Sequence, residues 1–176
     1  ATCVIGEKGE GLVQALQIQK KCFARIHTYG KACGCHGAAV AGSALLKKYL
    51  INFARPFIYS TSLPPIATAA IAASYSIFPG LQKERQQLAD LITIFQKQSI
   101  PYFVLKSETP IQVVIIPGNE EAKIVANRLQ QHNFDARAIL YPTVPKGQER
   151  IRFTMHSFNS ADEVERLTML LLNKDF

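Results

Sequence analysis

His27–Ser43 reads HTYGKACGCHGAAVAGS, a stretch in which a single lysine stands among small residues. Gly30 precedes Lys31, Ala32 follows it, and Gly34 and Gly37 are close by, so little side-chain bulk crowds the ammonium. A lysine that forms a Schiff base with a flat cofactor needs such space, and partial burial makes its amine easier to deprotonate. Thr28, three residues earlier, offers a hydroxyl that could reach the same ligand. Lysines beside glycines are in most proteins solvated loop residues, so the stretch gains meaning only from its surroundings.

Outward from it, Cys22–His27 reads as a strand leading into the lysine loop and Ala38–Ala41 as the strand that leaves it. Val13–Gln19 suits a short helix or turn. Ser43–Phe53 has Leu45, Leu46, Tyr49 and Leu50 on a common side, a helical spacing that Pro56 brings to an end. Ile66–Phe78 is rich in alanine and reads as a buried helix, and Pro79-Gly80 marks a break. The expected division is therefore 1–79 and 80–176.

Beyond the break, Leu81–Gln98 carries apolar residues at 81, 88, 91, 92 and 95, the pattern of an amphipathic helix. Ile111–Ile116 is a β-branched run between prolines, read as a buried strand. Asn119 is placed to cap a helix running through Gln131, with Glu120 and Glu121 at its positive end. Ala136–Tyr141 and Arg150–His156 read as two further strands. Ser160 and Glu163 form an S-x-x-E capping box for a last helix that turns Val164, Leu167 and Leu171 inward. The second half thus reads α-β-α-β-β-α, a small open sheet covered by helices.

With 48% hydrophobic and 19% charged residues the chain has the profile of a folded protein rather than a disordered one. The most apolar run, Leu63–Phe78, is interrupted by Pro64, Pro65, Thr68, Ser74 and Ser76 and does not read as a membrane span. No basic-then-apolar leader is seen, and a cytoplasmic setting is the expectation. Cys3, Cys22, Cys33 and Cys35 are too irregularly spaced for a disulfide framework. Cys33-Gly34-Cys35-His36 invites a metal reading, but the C-x-C spacing lacks a second cluster, so no metal is expected. Small apolar cysteines packed near a glycine turn account for the same letters.

The net charge of +7 is uneven. Residues 1–80 hold eight Lys/Arg against two Glu, a balance of +6, and residues 81–176 hold twelve against eleven acids, a balance of +1. A basic patch often marks a phosphate-rich partner. Nucleic acid is one candidate, although aromatic residues are not interleaved with the basic ones as a stacking surface needs. Cofactor and coenzyme phosphates explain the bias equally, and so do acidic residues lying upstream.

Thr28-Tyr29-Gly30-Lys31, His36-Gly37-Ala38-Ala39-Val40, the run Arg55–Pro65 (RPFIYSTSLPP), Pro142-Thr143-Val144-Pro145 and Arg150-Ile151-Arg152 together resemble the α-oxoamine synthases. These pyridoxal-phosphate enzymes join an amino acid to an acyl-CoA with loss of carbon dioxide. The resemblance implies an α/β architecture, the C-terminal part of a fold-type I pyridoxal-phosphate-dependent transferase. Residues 1–79 would be a remnant of the large cofactor-binding domain and residues 80–176 a small C-terminal α+β domain with an open antiparallel sheet. It implies that Lys31 is the catalytic, cofactor-bound lysine and that Thr28 contacts the cofactor. Ser60 and Thr61 would reach across a homodimer interface to the neighbouring cofactor's phosphate. Arg152 would hold the amino-acid carboxylate, with Arg150 the nearby alternative, and Thr143 would border the substrate site.

The Gly37-Ala38-Ala39-Val40 run looks most like the branch that uses a pimeloyl thioester, with alanine, in biotin synthesis. The 2-amino-3-ketobutyrate ligase branch, which carries a more glycine-rich run, is one alternative, and a non-catalytic basic binding module is another. The partners implied are an amino acid, an acyl-CoA and a second subunit, with neither nucleic acid nor membrane. The Asp-x-x-His motif that the family places before this stretch is not in the chain, which implies a C-terminal portion that turns nothing over alone. Leu140 stands where many members have arginine, and Asn159 near where they have histidine.

Overall fold

A computed structural model describes residues 2–172. The chain divides into two compact units, Ala1–Gln82 and Lys83–Phe176.

The first unit is built on a hairpin. Strands β1 (Ala24–Thr28) and β2 (Ala38–Gly42) pair antiparallel from Ala24 opposite Gly42 to Thr28 opposite Ala38, preceded by the short helix α1 (Leu12–Ala15). α1 stops well short of the expected Gln19, and Gln17 has positive φ just beyond it. Helix α2 (Ala44–Phe53) starts where Ser43 accepts a hydrogen bond from the amide of Leu46 at 3.1 Å, an N-cap in the usual geometry. Helices α3 (Arg55–Ile58) and α4 (Pro65–Ile77) follow.

Among the described residues of this unit, only Tyr29 and Phe78 are buried large apolar residues. Tyr75 bridges them, its ring edge-on to Tyr29 at 6.1 Å and tilted against Phe78 at 5.0 Å. The expected burial of Ile66–Phe78 holds at Phe78 alone: α4 has no buried residue, and Ile66 is 77% exposed. Alanine sets helix formation, but burial needs a layer to pack against, and here the unit supplies a two-stranded hairpin. Gly37, at φ +111°, has Leu63 so close that an added Cβ would lie 2.7 Å from its Cδ1. This contact seats the loop before α4 on the hairpin.

The second unit is a four-stranded antiparallel sheet with one covered face. Helix α5 (Gln82–Gln96) leads to β3 (Phe103–Val104) and β4 (Ile111–Ile115), helix α6 (Asn119–Gln131) to β5 (Ala138–Ile139) and β6 (Arg150–Thr154), and α7 (Ala161–Leu172) closes the unit. The strand order is β3-β4-β6-β5. The element order is α-β-β-α-β-β-α, because β3, two residues long, is too short to show an alternation in sequence.

Register places Val114 opposite Ile151 and Gln112 opposite Phe153, all buried. They pack in one core with Phe95, Leu129, Val125 and Leu171, and the rings of Phe95 and Phe153 lie tilted at 53° with centroids 5.9 Å apart. Full burial of such side chains contributes about 1.5–3 kcal/mol each. Gln112 is buried without cost because its amide donates to the carbonyls of Thr109 (2.6 Å) and Ser107 (3.2 Å) and its oxygen accepts from Gln96.

The capping box at α7 forms as the sequence specifies: Ser160 Oγ accepts from the Glu163 amide at 3.1 Å, and Glu163 Oε2 accepts from the Ser160 amide at 2.9 Å. Asn119 does not cap α6. Gly118 is the N-cap residue, at φ +98°, and the Asn119 side chain instead binds the Tyr141 backbone. Buried Glu149 accepts the Gly118 amide at 2.9 Å, tying β6 to the start of α6.

Two predictions follow from these contacts. Gly37→Ala forces a side chain into a left-handed backbone and against Leu63, a conformational strain of roughly 1–3 kcal/mol. Its urea midpoint should fall, and Leu63→Ala in the same chain should recover part of the loss; an unchanged midpoint for Gly37→Ala would contradict the contact. Hydrogen bonds from Gly118 and neighbouring amides hold the Glu149 carboxyl below its ordinary value of 4.5, and the Ser160 amide does the same for Glu163. A carboxyl lowered in the native state contributes stability that is present above the unfolded value and lost as pH falls through the native one. The wild-type midpoint should drop more steeply below pH 4.5 than that of Glu149→Gln, and parallel acid profiles would exclude this role.

Candidate active site

Lys31 lies just past the end of β1, in a turn that its own carbonyl closes by accepting the Gly34 amide at 2.8 Å. Two further backbone bonds hold the turn to the hairpin, from Cys35 to the Tyr29 carbonyl (2.8 Å) and from Tyr29 to the Gly37 carbonyl (2.9 Å). The lysine is exposed, and its ammonium makes no hydrogen bond or ion pair among the described residues. Buried Tyr29 anchors the base of the turn while leaving Lys31 outside it.

Thr28 is the last residue of β1 and faces outward, on the side of the hairpin that alternates with half-buried Arg25 and His27. It stands at the same end of the hairpin as Lys31. His27, on the inner side, is bonded to Thr2 at 2.8 Å. Burial lowers the imidazole below its ordinary 6.5, with Arg25 adding to the effect.

Ser60 and Thr61 lie in the connection between α3 and α4, both exposed. Neither caps α4, whose N-cap residue is Pro64 and which receives no side-chain cap bond. Through Leu63 and Gly37 the same loop rests on the hairpin that bears Lys31.

Thr143 and Arg152 belong to the second unit. Thr143 is exposed in the connection between β5 and β6, in a turn closed by the Val144 amide on the Leu140 carbonyl (3.2 Å). Arg152 sits in the middle of β6, opposite Val113 of β4, on the sheet face away from the core. Its guanidinium makes no hydrogen bond among the described residues, whereas Arg150 donates to the backbone and side chain of Gln148 at 2.8 and 3.2 Å. Of the two arginines, Arg152 is the one left able to grip a carboxylate in a bidentate pair.

Asn119 is a residue that sequence reasoning assigned differently. Its oxygen accepts the Tyr141 amide at 3.0 Å and its nitrogen donates to the Tyr141 carbonyl at 3.3 Å, fixing the backbone two residues before Thr143. Among the described residues no group of three or more His, Cys, Asp or Glu side chains is placed to hold a metal, and no helix is long and apolar enough to cross a membrane.

Comparison with known proteins places this geometry in context. An 8-amino-7-oxononanoate synthase of Emericella nidulans is 34% identical over 95% of the chain, and one of Methylobacillus flagellatus is 35% identical over 96% of it. The chain spans 42% and 43% of the lengths of these two proteins. The crystal structure of 8-amino-7-oxononanoate synthase from Francisella tularensis superimposes with a TM-score of 0.88 at 26% identity, over 97% of this chain and 51% of that one. The aminotransferase class I and II profile matches residues 11–169. The matched span contains each of the candidate residues, from Thr28 to Arg152, and the chain belongs to the aminotransferase class I and II family.

Proposed function

We propose that this chain is the part of a pyridoxal-phosphate-dependent acyltransferase that carries the cofactor lysine and the substrate arginine, and that the full-length protein condenses L-alanine with a pimeloyl thioester. In that reaction the bond from the alanine α-carbon to its carboxylate breaks, carbon dioxide leaves, and a bond forms to the thioester carbonyl with release of the thiol. The observation that carries the reading is Lys31 itself, an unpaired amine on a pinned glycine-rich turn against which the YSTSLPP loop is seated. The likeness to 8-amino-7-oxononanoate synthases supports the choice of substrates.

The residues present fit the cofactor by their chemistry. An amine without a competing ion pair, a hydroxyl at the same hairpin end and two hydroxyls not used as caps are the donor set that an aldehyde with a phosphate requires. Pyridoxal phosphate, when bound, supplies an electron sink for charge that develops on the amino-acid α-carbon. Lys31 Nζ holds the cofactor and then moves the proton at that carbon. Thr28 orients the ring through its hydroxyl. Ser60 and Thr61 donate to the phosphate, and we assign that phosphate to the cofactor of a second copy. Arg152 fixes the substrate carboxylate through two parallel hydrogen bonds, and Thr143 borders the acyl and amino-acid groups.

Borohydride treatment of the purified full-length protein should fix the cofactor on the peptide that contains Lys31, and Lys31→Ala should lose that adduct together with turnover. A Lys31→Ala protein that retains a reducible adduct would overturn the assignment.

The hydroxyl pair gives a second expectation. Losing a hydrogen bond to a charged group costs about 1.5–3 kcal/mol, or roughly ten- to a hundredfold in affinity. Ser60→Ala should weaken retention of pyridoxal phosphate by that factor, and the full-length protein should sediment as a homodimer. An active monomer that keeps its cofactor would remove Ser60 and Thr61 from the phosphate site.

A further inference from the structure

Cys3 and Cys33, thirty residues apart in sequence, bring their sulfurs within 2.9 Å of each other. Both are held on braced backbone. The Cys3 amide donates to the Gly9 carbonyl at 2.7 Å, and Gly9, at φ +71°, approaches so closely that an added Cβ would lie 2.8 Å from the Cys3 carbonyl oxygen. Cys33 sits in the Lys31 turn, where its carbonyl accepts from the Cys35 thiol at 3.1 Å and from the Ser74 hydroxyl at 3.4 Å. The two sulfurs thus face each other from the glycine-rich segment at 2–11 and from the turn that presents the lysine. A disulfide bond is about 2.05 Å long, so closure needs a small approach of two side chains already in contact.

We propose that Cys3 and Cys33 are a dithiol pair that closes reversibly to a disulfide under a small disulfide oxidant of the glutathione class, stapling the Lys31 turn to the 2–11 segment. Cys33 attacks the oxidant's sulfur–sulfur bond and expels one thiolate. Cys3 then loses its proton and attacks the Cys33 sulfur, expelling the second. In balance, two cysteine thiols and one disulfide give one protein disulfide and two small thiols. Burial, reinforced by the hydrogen bond with Cys33, pushes the Cys3 thiol up to about 12, so Cys3 is the poorer first nucleophile. Both cysteines are half-buried rather than sealed in a core. Nothing in this inference depends on the cofactor reading, and its test uses no activity measurement.

The purified full-length protein is incubated with glutathione disulfide, its remaining thiols are alkylated under native pH, and it is digested with trypsin. A cross-link is expected between the peptide ending at Lys8 and the peptide of residues 32–47, and dithiothreitol should remove it. Cys35→Ser should retain the cross-link, and Cys33→Ser should lose it. Alkylation of Cys3 and Cys33 in the oxidised wild type would overturn the pair. So would a Cys33–Cys35 link within residues 32–47, or a stable glutathione adduct on either cysteine in place of the cross-link.

Discussion

Everything assigned to Lys31 depends on the turn between β1 and β2 being held at its base while its tip stays open. Three backbone hydrogen bonds and the burial of Tyr29 meet the first need. Small residues at 30, 32, 34 and 37 meet the second, and Gly37 goes further by taking a backbone conformation that leaves space for Leu63. A bulkier turn would either crowd the amine or push the YSTSLPP loop away. The two motifs are separate in sequence but are joined by one side chain resting where no Cβ exists.

The two units meet their packing needs differently. The second closes a core between one sheet face and its helices, down to a buried glutamine with all its polar atoms answered. The first has an aromatic trio of Tyr29, Tyr75 and Phe78 and leaves Phe23, Ile26, Leu45 and Ile66 exposed. Stable isolated hairpins are marginal, and two strands with small flanking helices cannot cover both of their faces.

What could be read from the sequence was local. The S-x-x-E box places both of its partners three residues apart, so its geometry is implied by its letters. The alternation Arg150-Ile151-Arg152-Phe153 likewise fixed which face each side chain takes, although only the structure shows Arg150 already bound to Gln148. Asn119 was misassigned because its letter suits a cap, and the competing partner, the Tyr141 backbone, lies 22 residues on. The helix of residues 65–77 was legible as a helix and not as an exposed one, since composition sets propensity while burial depends on what lies opposite. The meeting of Cys3 with Cys33 leaves no local trace at all.

The grip of Asn119 on Tyr141 decides what positions Thr143. The backbone amide and carbonyl of Tyr141 are both answered by one side chain on the first residue of α6, and the next turn is closed by the Val144 amide on the Leu140 carbonyl. The front half of the β5–β6 connection is therefore fastened to the start of α6. Its far half is a separate turn, closed by the Gln148 amide on the Pro145 carbonyl at 2.9 Å around Gly147 at φ +82°. Thr143 thus takes its place from a helix that begins 24 residues earlier in the chain, through the Asn119 grip and the Leu140–Val144 turn.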